Sequence, residues 1–146
     1  MASMRRHAAL LAQALSLSAC ATVPDAPTLT GGEPMPAGSV VALRQPVAVG
    51  DVVVTPMRVV EDSRCPINAR CVWPGRLVVE TRVDGAGWRE TVPLTLGDPQ
   101  RVRGWSISLV SGEPGQMAGS EPVRAEEYRL SYEGRLTSSA ASSTRR

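Results

Sequence analysis

The chain has 146 residues, no phenylalanine and a single histidine, His7. All 16 of its basic residues are arginine, so lysine is absent too. From Ala8 onward there is no imidazole, so neither a Ser-His-Asp nor a Cys-His nucleophile can be assembled there. No histidine is available as a metal ligand either. Without lysine there is no Schiff base and no phosphate-loop lysine. A carboxylate-pair hydrolase needs two acids set across a cleft. The 14 acidic residues here are scattered without a recognisable arrangement. We therefore expect neither an enzyme, a cofactor nor a metal site. With phenylalanine missing, Trp73, Trp88, Trp105, Tyr128 and Tyr132 supply all the aromatic bulk, and valine and leucine must fill most of the core.

A long apolar run is also lacking. Met1 to His7 carries Arg5 and Arg6 and reads as the basic start of an export signal. Ala8 to Ala19 follows as an apolar stretch too short to span a bilayer as a helix, and Gln13, Ser16 and Ser18 dilute it. It ends in Leu17-Ser18-Ala19-Cys20, which resembles a bacterial lipobox. That resemblance implies cleavage before Cys20 and acyl chains on its thiol and amine, and two or more chains anchor stably where one does not. A competing reading is ordinary signal-peptidase cleavage, because Ala19-Cys20-Ala21 also satisfies the small-x-small pattern and would discard Cys20. Ala21, which is not aspartate, favours the outer over the inner membrane by the sorting rule for Gram-negative lipoproteins. Loss of residues 1–19 removes Arg5 and Arg6, so the 16 basic side chains fall to 14 and match the 14 acidic ones. A neutral mature chain gives no support for nucleic-acid binding.

The remaining length suits one domain. Residues 20–39 hold the lipidated cysteine and then a tether. Pro24, Pro27, Pro34, Pro36, Gly31, Gly32 and Gly38 disfavour helix and sheet there. Extended, that tether reaches roughly 50 Å. Residues 137–146 read as a disordered polar tail, leaving residues 40–136 as the folded domain. Within it the hydrophobic pattern has period two and no convincing amphipathic helix. Val40–Leu43 and Val47–Val49 are short strand candidates. Val52–Val60 is a longer one, interrupted by Pro56, which predicts a sheet edge or a bulge. Leu77, Val79, Thr81 and Val83 share one strand face with Glu80 and Arg82 opposite, and Asp84-Gly85-Ala86-Gly87 is turn chemistry before a returning strand, Trp88–Leu96. Trp105–Leu109 and Tyr128–Tyr132 alternate cleanly, with a loop from Ser111 to Pro122 between them and a helical turn at Ala125–Glu127. These features predict an all-β fold, a small antiparallel β-sandwich or barrel-like domain of about six to eight strands.

The least generic passage runs from Glu61 to Gly75. Its Asp62-Ser63-Arg64-Cys65-Pro66 and Cys71-Val72-Trp73-Pro74-Gly75 resemble a pattern in an uncharacterised family of small secreted or lipid-anchored bacterial proteins. There, alanine often stands where this chain has Pro74. The resemblance implies no activity and no catalytic residue. Export would place Cys65 and Cys71 where a pair persists as a disulfide, and closing this ring contributes roughly 2.4 kcal/mol by chain-entropy arithmetic. Five intervening residues fit no thioredoxin-like centre, and the scattered Met35, Met57 and Met117 make no soft-metal set with two thiols. The ring could instead present a binding loop of Arg64, Ile67, Asn68, Arg70 and Trp73, with Arg70 as anchor in an inhibitor-like reading. Arg58, Arg64, Arg70 and Arg76 outnumber Glu61 and Asp62 nearby, and the expected arrangement is a solvated rim with Arg64 paired to Asp62. Trp73 either covers the disulfide as core or stands exposed as an interface anchor. The function expected is that of a lipid-anchored cell-envelope domain at the outer membrane, facing the periplasm and acting as a structural or protein-interaction module. Its partners are then the membrane, through the lipid, and an envelope protein. The alternative is a periplasmic inhibitor-like or ligand-binding domain that uses the Cys65–Cys71 loop as contact surface.

Overall fold

A computed structural model describes residues 32–137. The leader, Cys20 and the tail beyond Thr137 lie outside the described residues. Seven strands follow in order: β1 (Val47–Val49), β2 (Val52–Asp62), β3 (Leu77–Gly85), β4 (Trp88–Thr95), β5 (Gln100–Val102), β6 (Trp105–Glu113) and β7 (Arg129–Leu136). A 3-10 turn at Ala125–Glu127 precedes β7, as the sequence predicts. The strands form a four-stranded sheet, β1-β2-β3-β4, and a three-stranded sheet, β5-β6-β7. Every pairing within them is antiparallel. Isolated bridges tie one sheet or its flank to the other, Val41 to Leu130 and Leu96 to Leu109, so the sandwich is partly closed in the manner of a barrel.

Alternation explains the layers. On β3, Leu77, Val79, Thr81 and Val83 are buried while Glu80 and Arg82 are half-buried. On β6, Trp105, Ile107 and Leu109 are buried. These meet Val47, Val54, Leu94, Leu130 and Tyr132 in one core built mainly of valine and leucine. The buried hydroxyl of Tyr132 lies 3.3 Å from that of Thr81, which itself donates to the Val79 carbonyl, so two polar groups cross the core in partnership. Burial pushes the Tyr132 pKa up, opposed by its bond to Thr81. The buried Asp84 is held by Arg82 and Arg89.

Pro56 does mark a bulge: the β2–β3 register shifts between Pro56 and Arg58. The strand nevertheless continues without a break to Asp62, because β1 pairs only with Val52–Val54 and leaves the proline's other side without a strand partner to lose. Several boundaries differ from expectation, and neither β5 nor the continuation of β7 from Glu133 to Leu136 was anticipated. Val40–Leu43 is not a strand; only Val41 bridges, and Gln45 closes a turn onto Ala42 through its backbone N–H and its side-chain oxygen. Met35, assigned above to the tether, donates to the Pro46 carbonyl and accepts from Ala48. Thr137 donates to the Gly104 carbonyl rather than beginning the tail. Ser111 belongs to β6, which extends to Glu113 beyond a register shift, where the Ser111 and Ser131 hydroxyls pair at 2.6 Å.

Candidate functional site

β2 ends and β3 begins at the same end of the sandwich where β6 ends and β7 begins. The long connections Ser63–Arg76 and Pro114–Tyr128 therefore meet there, and Asp62 is the point at which they are joined. Its carboxylate accepts from Arg64 Nε at 2.8 Å and Nη2 at 2.7 Å, and from the Tyr128 hydroxyl at 2.8 Å. Its carbonyl accepts from Gln116 Nε2 at 2.7 Å. Arg64 in turn donates to the carbonyls of Gly112 and Pro114. The Asp62 and Arg64 side chains keep only 6% and 16% of their surface exposed, so this is a largely desolvated pair with its remaining donors used. Burial acts to raise the Asp62 pKa, but the bonds from Arg64 and Tyr128 outweigh it and hold the carboxyl below its ordinary range. The same burial, reinforced by Asp62, pushes the Tyr128 hydroxyl up to about 12.

Ser63 and Arg76 lock the neck of the loop. Ser63 N–H donates to the Arg76 carbonyl, Arg76 N–H donates to the Ser63 hydroxyl, and the Arg76 side chain pairs with Glu61 at 2.8 Å. Gly75 has φ 66°, and a side chain there would fall onto the Ser63 carbonyl oxygen, so glycine is required by both conformation and space. Beyond the neck, Cys65 and Cys71 form a disulfide with Cα atoms 5.9 Å apart. Cys65 N–H donates to Pro74, and Ala69 N–H closes a turn onto Pro66. The tip is then stitched to the other connection. Ile67 N–H donates to the Gln116 carbonyl, and Asn68 exchanges two side-chain bonds with the backbone of Ala118, at 2.7 and 3.2 Å.

What this scaffold holds out is apolar. Ile67 is 75% exposed, Val72 89% and Trp73 79%, and Met117 on the bracing connection is 46% exposed. Trp73 is therefore exposed and no part of the core. The five residues considered for a binding loop separate into two groups. Ile67, Arg70 and Trp73 are exposed on the loop, whereas Arg64 and Asn68 are spent on holding it together. Val72 and Met117 belong with the exposed group and were not anticipated. Of the four arginines near the ring, Arg58 pairs with Glu80, Arg64 with Asp62 and Arg76 with Glu61. Arg70 has no carboxylate partner among the described residues. Glu90 pairs with Arg103 at 3.2 Å. Among the described residues no three of His, Cys, Asp and Glu come together as a metal site.

Compared with family models, curated proteins and solved structures, the chain matches none.

Proposed function

We propose that this protein is a non-catalytic binding module of the bacterial cell envelope, anchored by lipid on Cys20, whose contact surface is the disulfide loop between β2 and β3. The observation that carries the reading is the exposure of Ile67, Val72 and Trp73 on one short, internally bonded loop. Large apolar side chains lose about 1.5–3 kcal/mol each when left in water rather than buried. A domain that already buries Trp105, Ile107 and a set of valines gains nothing for its own stability from holding three more outside. Hydrogen bonds from Ile67, Asn68 and Arg64 hold the loop in place, which lowers the ordering cost of a contact made there. The turn at Pro66–Ala69 disfavours the inhibitor-like reading, since it closes the chain on itself where a protease cleft takes an extended strand.

Mass spectrometry of the N-terminal fragment and membrane fractionation in a Gram-negative host test the anchor. The mature chain is expected to begin with acylated Cys20 and to sediment with membranes, and Cys20→Ser to be released from them. A mature chain that begins after Cys20 would contradict the anchor.

A further inference from the structure

We infer that the exposed loop docks on a lipid bilayer, seating Trp73, Val72 and Ile67 in the interfacial layer while Arg70 meets an anionic headgroup; this rests on the proposed lipid anchor at Cys20. Four observations favour a bilayer over a protein partner. First, the side-chain set is interfacial: a tryptophan and two aliphatic residues on one loop, each more than 70% exposed, with an exposed arginine in the same loop. Second, the charge fits. Arg58, Arg64 and Arg76 are each neutralised by a carboxylate, and Arg70 is the cation left over on the ring. Third, the area is small. A stable protein interface takes about 800 Å² and 20–30 residues from each side. The apolar tip offers Ile67, Val72, Trp73 and Met117, which suits a contact that needs only to add to an anchor.

The fourth observation is the direction of the chain. Met35 bridges Val47 in parallel, so its backbone runs with β1 and against β2. The polypeptide thus approaches Met35 from the side on which β2 ends and the cysteine loop begins. A tether of roughly 50 Å upstream of Met35 lets that end of the sandwich reach the bilayer without fixing its orientation.

The test uses the full mature chain, purified from membranes and reconstituted into vesicles of phosphatidylethanolamine and phosphatidylglycerol whose acyl chains carry bromine. Tryptophan emission is compared between the native protein and Trp73→Ala, which isolates Trp73 from Trp88 and Trp105. The expected result is strong bromine quenching of the Trp73 component, weakened about fivefold in apparent partitioning by Arg70→Glu in anionic vesicles. Vesicles without phosphatidylglycerol should remove the effect of that substitution. A Trp73 that is quenched by aqueous iodide and untouched by bromine, on a protein that floats with the vesicles, overturns docking and leaves the anchor standing. A Cys20 without acyl chains, on a protein that fails to float, overturns it through its premise. Protection of Trp73 that appears only when envelope proteins are added back also overturns it, in favour of a protein partner.

Discussion

The same residue types take opposite positions at the middle and at one end of this molecule. Trp105 is 8% exposed and Trp73 79%; Ile107 is fully buried and Ile67 75% exposed; Val79 is fully buried and Val72 89% exposed. Hydrophobicity alone decides the first member of each pair. It does not decide the second, which is held out by polar bonds: the Asp62–Arg64 pair, the Asn68–Ala118 exchange and a disulfide. The sandwich shows how a chain without phenylalanine builds a core from valine, leucine and three aromatic side chains. The loop end shows apolar side chains kept outside by a frame whose cost lies in desolvated charge.

Substitutions should separate the two regions sharply. Trp105→Ala, which empties a site packed against the core, should cost about 3–5 kcal/mol in urea unfolding. Removing Asp62 by Asp62→Ala should cost about 3 kcal/mol, at the lower end of the range for orphaning a buried charge because Arg64 keeps some water. That loss should be accompanied by faster amide exchange at Ile67 and Ala118. The double change Cys65→Ser with Cys71→Ser should cost roughly 2.4 kcal/mol if ring closure acts through the unfolded chain. Trp73→Ala should change stability by no more than about 0.5 kcal/mol, as surface changes do. Equal losses for Trp73→Ala and Trp105→Ala would erase the distinction between the regions.

Acid titration sharpens the same contrast. The Asp62 carboxyl is held below its ordinary value of 3.8 in the fold. Its stabilising contribution is therefore present above that value and fades as pH falls through the lower folded one. Asp62→Asn should be less stable than the native protein at neutral pH and should approach it in acid. Unfolding midpoints that stay equally far apart down to strongly acidic pH would contradict the role given to Asp62.

Much of the sandwich was legible in the sequence because its strands alternate. Leu77–Val83 and Trp105–Leu109 display period two, Asp84-Gly85-Ala86-Gly87 displays its turn, and Pro56 displays its bulge. Val40–Leu43 misled because four apolar residues in a row look like a strand, whereas only Val41 found a partner. At the site, the Cys65–Cys71 pairing and the Arg64–Asp62 bridge were readable locally. The exposure of Val72 and Trp73 was not, since an apolar side chain beside a disulfide is as compatible with core as with surface. Nor was the brace from Gln116 and Ala118, which depends on contacts some fifty positions apart in the chain. The one usable signal was Asn68, a side chain able to donate and accept at once, set in the middle of the ring.

The most direct measurement is photo-crosslinking in cells from a photoreactive residue at position 72, with the same residue at position 110 on β6 as comparison. Val110 is itself 42% exposed but lies within β6, at its register shift, rather than on the loop. The expected result is lipid adducts from position 72, lost with Cys20→Ser, and few from position 110. Equal labelling from both positions, with neither lipid nor protein preferred at 72, would contradict a contact surface at the loop.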